Sequence, residues 1–361
     1  MLKGTRIIEI EGIGPGPFAG MMLADLGAEV IVVHREEVPV AGMSDRSLLD
    51  RGKRSIVLDL KRPADVAVLM KLVSGADGLI EGFRPGVMER LGLGPEPLLN
   101  ENPKLVYGRV TGWGQSGPKA KQAGHDLNYI AQSGALWYAS LPGQAPFTPP
   151  TMLGDVAGGS LYLVAGMLAG MINAIKTGQG TVVDAAIVDG SAHMMNLLMT
   201  LRSMGALSEN RGQSLLDGPH WSRCYQCADG KWLSVQCMEP QFYQQFLDVL
   251  GLQHDEAFLQ QHNPASWSNL SDRLTRLFSA HPLSHWLALF EQTDACVAPV
   301  HSPSQALHDA HLASRGTWSE PGGVLQAAPA PRFSSYQHSP GAPPRRGQHT
   351  EEILAMLNRT D

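Results

Sequence analysis

The N-terminal third of the chain alternates short, almost unbroken apolar runs with amphipathic stretches, and that alternation leaves few folds open. Arg6–Ile10, Glu29–Val33, Ser55–Leu60, Gly78–Phe83 and Leu105–Thr111 read as strands. Pro17–Leu26, closed by Gly27, and Ala64–Ser74 read as helices between them. Strands apolar on both faces must be covered on both faces, and intervening helices cover them when the strands run parallel. Further on, Val164, Met167, Leu168, Met171, Ile172 and Ile175 recur at helical spacing. Gly178 and Gly180 end that helix, Val182–Ala185 reads as another strand, and Gly190–Gly205 as a methionine-rich helix. The expected fold class is α/β with a mostly parallel sheet.

A chain of 361 residues exceeds the usual size of one domain. Residues 1–205 are expected to form a large domain, 206–223 a linker and 224–319 a smaller α+β domain. The periodicity fades from Gln213 to about Ser222, and a second unit begins near Cys224. It offers strand Trp232–Gln236, helices Gln241–Leu250, Trp267–Ala280 and Leu283–Gln292, and strand Val297–Val300. Pro321 to Arg346 is rich in Pro, Gly and Ala, as in an extended return path, and Glu351–Leu357 reads as a terminal helix.

Net charge of −6 gives no general attraction to nucleic acid or anionic membranes, so neither is expected as a partner. Leu161–Ile175 is interrupted by Gly166, Gly170 and Asn173 and is too short to span a bilayer comfortably. Met1–Ile10 lacks the build of a signal peptide, and the expected location is cytoplasmic. Four cysteines form no disulfide framework. Cys224-x-x-Cys227 has no second ligand pair for zinc and leads into a strand rather than a helix, so both thiols are read as buried and inert, with no metal.

The turn Gly12-Ile13-Gly14-Pro15-Gly16-Pro17 joins the first strand to the first helix, the place of a dinucleotide fingerprint. Pro17 occupies the third glycine position, so a plain tight turn is the competing reading. His34-Arg35 ends the second strand where a free ribose would want a carboxylate. Arg35 suits instead a phosphorylated ribose, such as the 3′-phosphorylated one of coenzyme A. Lys53, Arg54, Lys61, Arg84 and Arg90 recur at the ends of early elements, mostly as solvated charges. Arg84 differs because Gly82-Phe83-Arg84-Pro85-Gly86 is a strand-to-helix loop of the kind that lines ligand crevices, where it could grip a phosphate.

Gly124-His125-Asp126 and Gly154-Asp155 each precede a helical stretch. Singly, Asp155 suits an N-cap and His125 a hydrogen-bonded, partly buried histidine. Jointly they place two bases at helix N-termini, where backbone N–H groups favour developing negative charge. A thioester enolate needs a base near the α-carbon and donors around its oxygen. Asp126 and Glu239 are further acids, and Glu239 beside His125 would orient the imidazole. Met194, Met195, Met199 and Met204 suit either a flexible acyl chain or plain core, and at least half are assigned to core.

At these residues the chain resembles the class III CoA-transferase superfamily and, within it, the α-methylacyl-CoA racemases. The likeness spans essentially the whole chain. It runs through Pro15-Gly16-Pro17-Phe18, Leu23 to Val30, Arg51-Gly52-Lys53-Arg54-Ser55, Leu58-Asp59-Leu60-Lys61 and Phe83 to Met88. It continues through Gly112-Trp113-Gly114-Gln115-Ser116-Gly117, Gly124 to Tyr129, Glu239 to Tyr243, Ala330-Pro331-Arg332-Phe333 and Gly347-Gln348-His349-Thr350. The resemblance implies an interlocked homodimer and a Rossmann-like large domain completed by residues 320–361. It implies coenzyme A along Arg35, Leu58, Asp59, Leu60, Lys61, Arg84, Arg90, Gly124, Leu127, Asn128 and Tyr129. In transferases of the superfamily the aspartate matching Asp155 is a nucleophile. In the racemases it is one of two proton-transfer bases, and the histidine matching His125 is the other. Transferases usually carry a different residue at the position of His125.

The expectation is therefore an epimerase of 2-methyl-branched acyl-CoA. His125 and Asp155 exchange the α-proton on opposite faces, Glu239 orients His125, and Asp126 assists. No metal or redox cofactor is expected, coenzyme A being part of the substrate. The competing readings are CoA transfer through an Asp155 acyl anhydride, a non-catalytic acyl-CoA-binding protein and, least favoured by Pro17 and Arg35, an NAD-dependent dehydrogenase.

Overall fold

The computed structural model describes residues 1–37 and 47–359. They form two compact units, one of Met1–Leu136, Thr148–Met194 and Ser319–Asp361, the other of Trp137–Phe147 and Met195–Trp318. The first is built on six strands, β1 (Arg6–Ile10), β2 (Glu29–His34), β3 (Arg54–Val57), β4 (Gly78–Glu81), β5 (Val106–Thr111) and β6 (Thr181–Ala186). All pair in parallel, in the order β3-β2-β1-β4-β5-β6. The order reverses between β1 and β4, and in such sheets the crevice beyond the strands' carboxyl ends at that point takes the ligand.

Side-chain alternation splits the core into two layers. Ile7, Val30, Ile80 and Val106 face a cluster completed by α1 (Pro15–Asp25), through Ala19 and Leu23, and by Leu163, Met167 and Met171 of the long helix. Ile8, Ile31, Leu79 and Tyr107 face the other way, toward α2 (Pro63–Ser74), two short helices α3 (Val87–Arg90) and α4 (Pro95–Glu101), and the terminal helix Thr350–Leu357. Each fully buried Leu or Met in these layers contributes about 1.5–3 kcal/mol. The alternation did not announce α3 and α4, which are too short to show a period. β3 is an edge strand, and the C-terminal segment covers it. Ser55 N–H donates to His349 Nδ1 (3.0 Å), His349 N–H to the Ser55 carbonyl (2.9 Å), and Val57 N–H to Thr350 Oγ1 (3.2 Å).

The β5-to-β6 crossover carries α5 (Asp126–Ser133), a π-helical turn Met152–Ser160, and α6 (Leu161–Thr177). Met152–Thr177 is thus one helical stretch of 26 residues, long and apolar enough to cross a membrane by length and composition. That corrects the argument from shortness. Half of its most apolar 18-residue window is buried, and α6 packs on β5 and β6. Small residues allow the approach. A Cβ on Gly108 would lie 2.6 Å from Met167 Sδ, and one on Gly166 2.5 Å from Val183 Cγ1.

Gly190–Gly205 is two helices, α7 (Ile187–Met194) and α8 (Asn196–Ser203), and the second belongs to the second unit. α8 buries none of its residues, and Met194, Met195, Met199 and Met204 are all at least partly exposed, which corrects their assignment to core. Residues 206–221, in the stretch expected as a linker, hold turns without a helix or strand and belong to the second unit. Trp137 Nε1 donates to the Glu209 carbonyl (2.7 Å) and Tyr138 Oη to that of Ser208 (3.0 Å), which draws 137–147 into the second unit. Trp221 is fully buried. β7 (Ser222–Gln226), β8 (Trp232–Gln236) and β9 (Val297–Pro299) form an antiparallel sheet. It packs with α9 (Pro240–Leu250), α10 (Pro264–Phe278) and α11 (Leu283–Phe290) around Tyr225, Phe246, Phe278 and Trp286. Cys227 is buried there, but Cys224 is exposed because β7 turns Tyr225 inward and its neighbours outward.

Candidate active site

Two cavities open beyond the carboxyl ends of the strands of the first unit. The larger, about 680 Å³, is lined by His34, Arg35, Leu58, Asp59, Leu60, Lys61, Phe83 and Arg90, together with Glu11, Glu36 and Glu37. The smaller, about 340 Å³, is lined by Gly14, Arg84, Trp113, Gly124, His125, Tyr129 and Asp155. Phe83 lines both. The residues singled out in the sequence therefore divide into two groups that share a wall.

In the larger cavity the Arg35 guanidinium stacks over the Phe83 ring, 5.6 Å from its centroid. Its backbone N–H donates to Glu11 Oε2 (2.9 Å), while Arg346 bridges Glu11 Oε1 (2.6 Å) and the Arg35 carbonyl (2.8 Å). Glu11 and Arg346 escaped the sequence reading, because nothing local links a residue after β1 to one near the C-terminus. His34 does not offer a free ring. Its Nδ1 meets Ser55 Oγ (2.8 Å), and its Nε2 lies 3.5 Å from Asp50. Asp50 in turn belongs to a buried charge network in which Lys53 Nζ reaches Glu9 (2.7 Å) and Asp50 (3.3 Å). Lys53, expected among solvated charges, is buried, as is Arg51.

In the smaller cavity the backbone of His125 caps α5, and its imidazole is exposed. Its N–H donates to Asn128 Oδ1 (3.0 Å), so Asn128 braces the turn, and neither Asn128 nor the exposed Leu127 lines either of these two cavities. Asp155 does not cap a helix, as its position suggested. Thr151 takes that place, and Asp155 lies inside the π-helical turn, where Val156 N–H reaches the Thr151 carbonyl (3.1 Å). Such turns often mark functional positions. Gly154, Gly158 and Gly159 let it pack closely. A Cβ on Gly154 would sit 2.4 Å from Asp126 Oδ1.

Asp126 joins the two motifs. Its buried carboxylate accepts the Asp155 backbone N–H at 2.8 Å. The Asp155 carboxyl is half-buried, and burial first, then the charge of Asp126, push it up to about 6, with His125 opposing the rise. Gly14, at φ +70°, brings the first loop against it, its Cβ direction 3.5 Å from Asp155 Oδ2. The glycine turn thus does more than reverse the chain, since a side chain at Gly14 would be strained at that φ and its Cβ would touch the acid. Ser160 Oγ ties the π turn to α1 through the Pro15 carbonyl (2.9 Å).

Tyr129 holds the other wall. Its hydroxyl donates to the Gly124 carbonyl, and its ring meets Trp113 edge-on at 4.8 Å. Gly112 and Gly124 make room, because a Cβ on either would strike the Tyr129 ring. Arg84 is exposed, and no carboxylate pairs with it among the described residues. Glu239 heads α9 in the second unit with its side chain exposed.

The model of CoA-transferase family III matches residues 2–350. The chain is 41% identical over 359 residues to the alpha-methylacyl-CoA racemase of Mus musculus and 40% identical to that of Homo sapiens, covering 98% of this chain and 92% of each relative. Among solved structures it is similar to a CAIB/BAIF family protein from Brucella suis, with a TM-score of 0.84 at 25% identity over 99% of both chains.

Proposed function

The chain belongs to CoA-transferase family III, and from that premise we propose that it is a racemase of 2-methylacyl-CoA thioesters. One base takes the C2 proton, and the electron pair left behind delocalises into the thioester carbonyl as an enolate. The conjugate acid of the second base then protonates C2 from the opposite face. His125 serves one face and Asp155 the other. The observation that carries this reading is that both line one cavity, with the Asp155 carboxyl raised to about 6. A general acid–base group works best when its pKa lies near the working pH. The named racemase relatives support the same reading.

In this proposal Asp126 assists Asp155, and Glu239, from its own chain or a partner's in a homodimer, orients His125. The nucleotide half of the substrate runs along Arg35, Leu58–Lys61 and Arg90, and the pantetheine thioester along Arg84 and Gly124–Tyr129. The thioester itself acidifies the α-carbon, so the reaction asks for no further cofactor, and the enzyme works in the cytoplasm.

The family's own description favours a second reading, CoA transfer in which Asp155 attacks the thioester carbonyl. Incubation with a single 2-methylacyl-CoA epimer in deuterated water decides between them. Deuterium at C2 with loss of optical purity is expected. No exchange, together with an acyl-enzyme trapped by hydroxylamine, would replace the racemase by the transferase.

A further inference from the structure

One buried cation outside both cavities governs the wall they share. Arg109 lies on β5 directly opposite Glu81 on β4 and is buried with it. Its Nε donates to Glu81 Oε1 at 2.7 Å, and the other oxygen of that carboxylate, Oε2, accepts the Phe83 backbone N–H at 2.7 Å. From its far side, Arg109 Nη1 and Nη2 donate to both oxygens of Glu89 on α3, at 2.7 and 3.3 Å. The guanidinium also lies over the Tyr107 ring, whose hydroxyl donates to the Leu93 carbonyl just past α3. A single fork therefore holds the segment that follows β4 at its start, through Glu81, and at its helix, through Glu89.

That segment faces both cavities. Phe83, Arg84 and Pro85 line the smaller, and Phe83, Val87, Arg90 and Leu91 line the larger. Arg109 itself is among the lining residues of neither. We infer that Arg109 is a positioning residue for the nucleotide half of the CoA thioester: by binding Glu81 and Glu89 at once it fixes Phe83 and Arg90 where that half must pass. The inference rests on the acyl-CoA reading above. Only a guanidinium presents a planar fork able to hold two carboxylates in fixed directions, so lysine is not a conservative substitute.

The test uses Glu89→Gln, which changes a partly exposed side chain and leaves the buried Glu81–Arg109 pair intact, and Arg109→Lys as the second variant. Each is assayed by α-proton exchange on a 2-methylacyl-CoA and on the same acyl group carried by N-acetylcysteamine, which lacks the nucleotide. Glu89→Gln raises KM for the CoA thioester about tenfold, equivalent to ~1.4 kcal/mol, with kcat within about twofold and no change on the truncated thioester. Arg109→Lys gives the larger KM effect on the CoA thioester. A merely structural role would cut kcat on both thioesters alike and leave KM alone. That result, or an unchanged KM, overturns the inference. Calorimetric titration of wild type and variants with the CoA thioester keeps the two readings apart. Weaker binding by the variants of a wild type that binds but exchanges no proton sinks the racemase reading and upholds this one. A wild type that does not bind overturns both.

Discussion

Replacing Asp126 by asparagine removes a charge while keeping an oxygen that can accept the Asp155 N–H. The hydrogen bond at 2.8 Å is thus retained, and the electrostatics alone change. Asp155 stands at about 6 against an ordinary 3.8, with burial the first cause and the Asp126 charge the second. Loss of that charge should lower the value by about one pH unit, ~1.4 kcal/mol in favour of the ionised form. It should remain above 3.8, since burial is untouched. In the two-base mechanism the active form carries one proton over the His125–Asp155 pair, and the acid limb of kcat/KM marks addition of the second. Asp126→Asn should therefore move the acid limb from near pH 6 toward about pH 5 in both directions of the reaction. The assay is the initial rate of α-proton exchange from each epimer over pH 4.5–8. An acid limb that stays put, or moves upward, would show that Asp155 does not set it and would refute the argument.

Asp155→Asn should abolish exchange yet stabilise the fold. A carboxyl raised in the folded state loses stability as pH climbs from 3.8 through 6, so the variant's advantage should be absent near pH 4 and reach about 1 kcal/mol by pH 7, after allowing for partial exposure; urea titrations at both pH values would show it. Gly154→Ala pushes a methyl to within 2.4 Å of Asp126 Oδ1, so a loss of about 1–3 kcal/mol and a sharp fall in kcat are expected, and wild-type turnover would contradict the packing argument. Lys53→Met strands Glu9, whose carboxyl burial already pushes up to about 7. The expected cost is about 3–5 kcal/mol, larger at pH 8 than at pH 6 because Glu9 escapes its isolation by taking a proton, and a loss independent of pH would place the defect elsewhere.

The strands and their parallel pairing were legible because burial on both faces forces continuous apolar runs, and that signal is local. Helices α3 and α4 were not, because at 4 and 7 residues they make too few turns for a period to repeat. Met194, Met195, Met199 and Met204 misled for a related reason: helical spacing is the same whether a face meets a core or lies open. At the site, Arg35, Leu58–Lys61, Arg84, Arg90, Gly124, His125, Tyr129 and Asp155 all fall on the cavity walls. Leu127 and Asn128 do not, since a helix sends successive side chains in different directions.

The sequence by itself determined the α/β class, because periodicity and composition are carried by neighbours along the chain. Only the tertiary structure decided which charges matter. It took Lys53 from the surface into the core and moved Asp155 from a helix cap into a π-helical turn. It also set Asp126 against that residue's N–H and brought Arg109 between Glu81 and Glu89. Each depends on segments distant in sequence meeting where water is scarce, and there the strength of a charge depends on its surroundings more than on its identity.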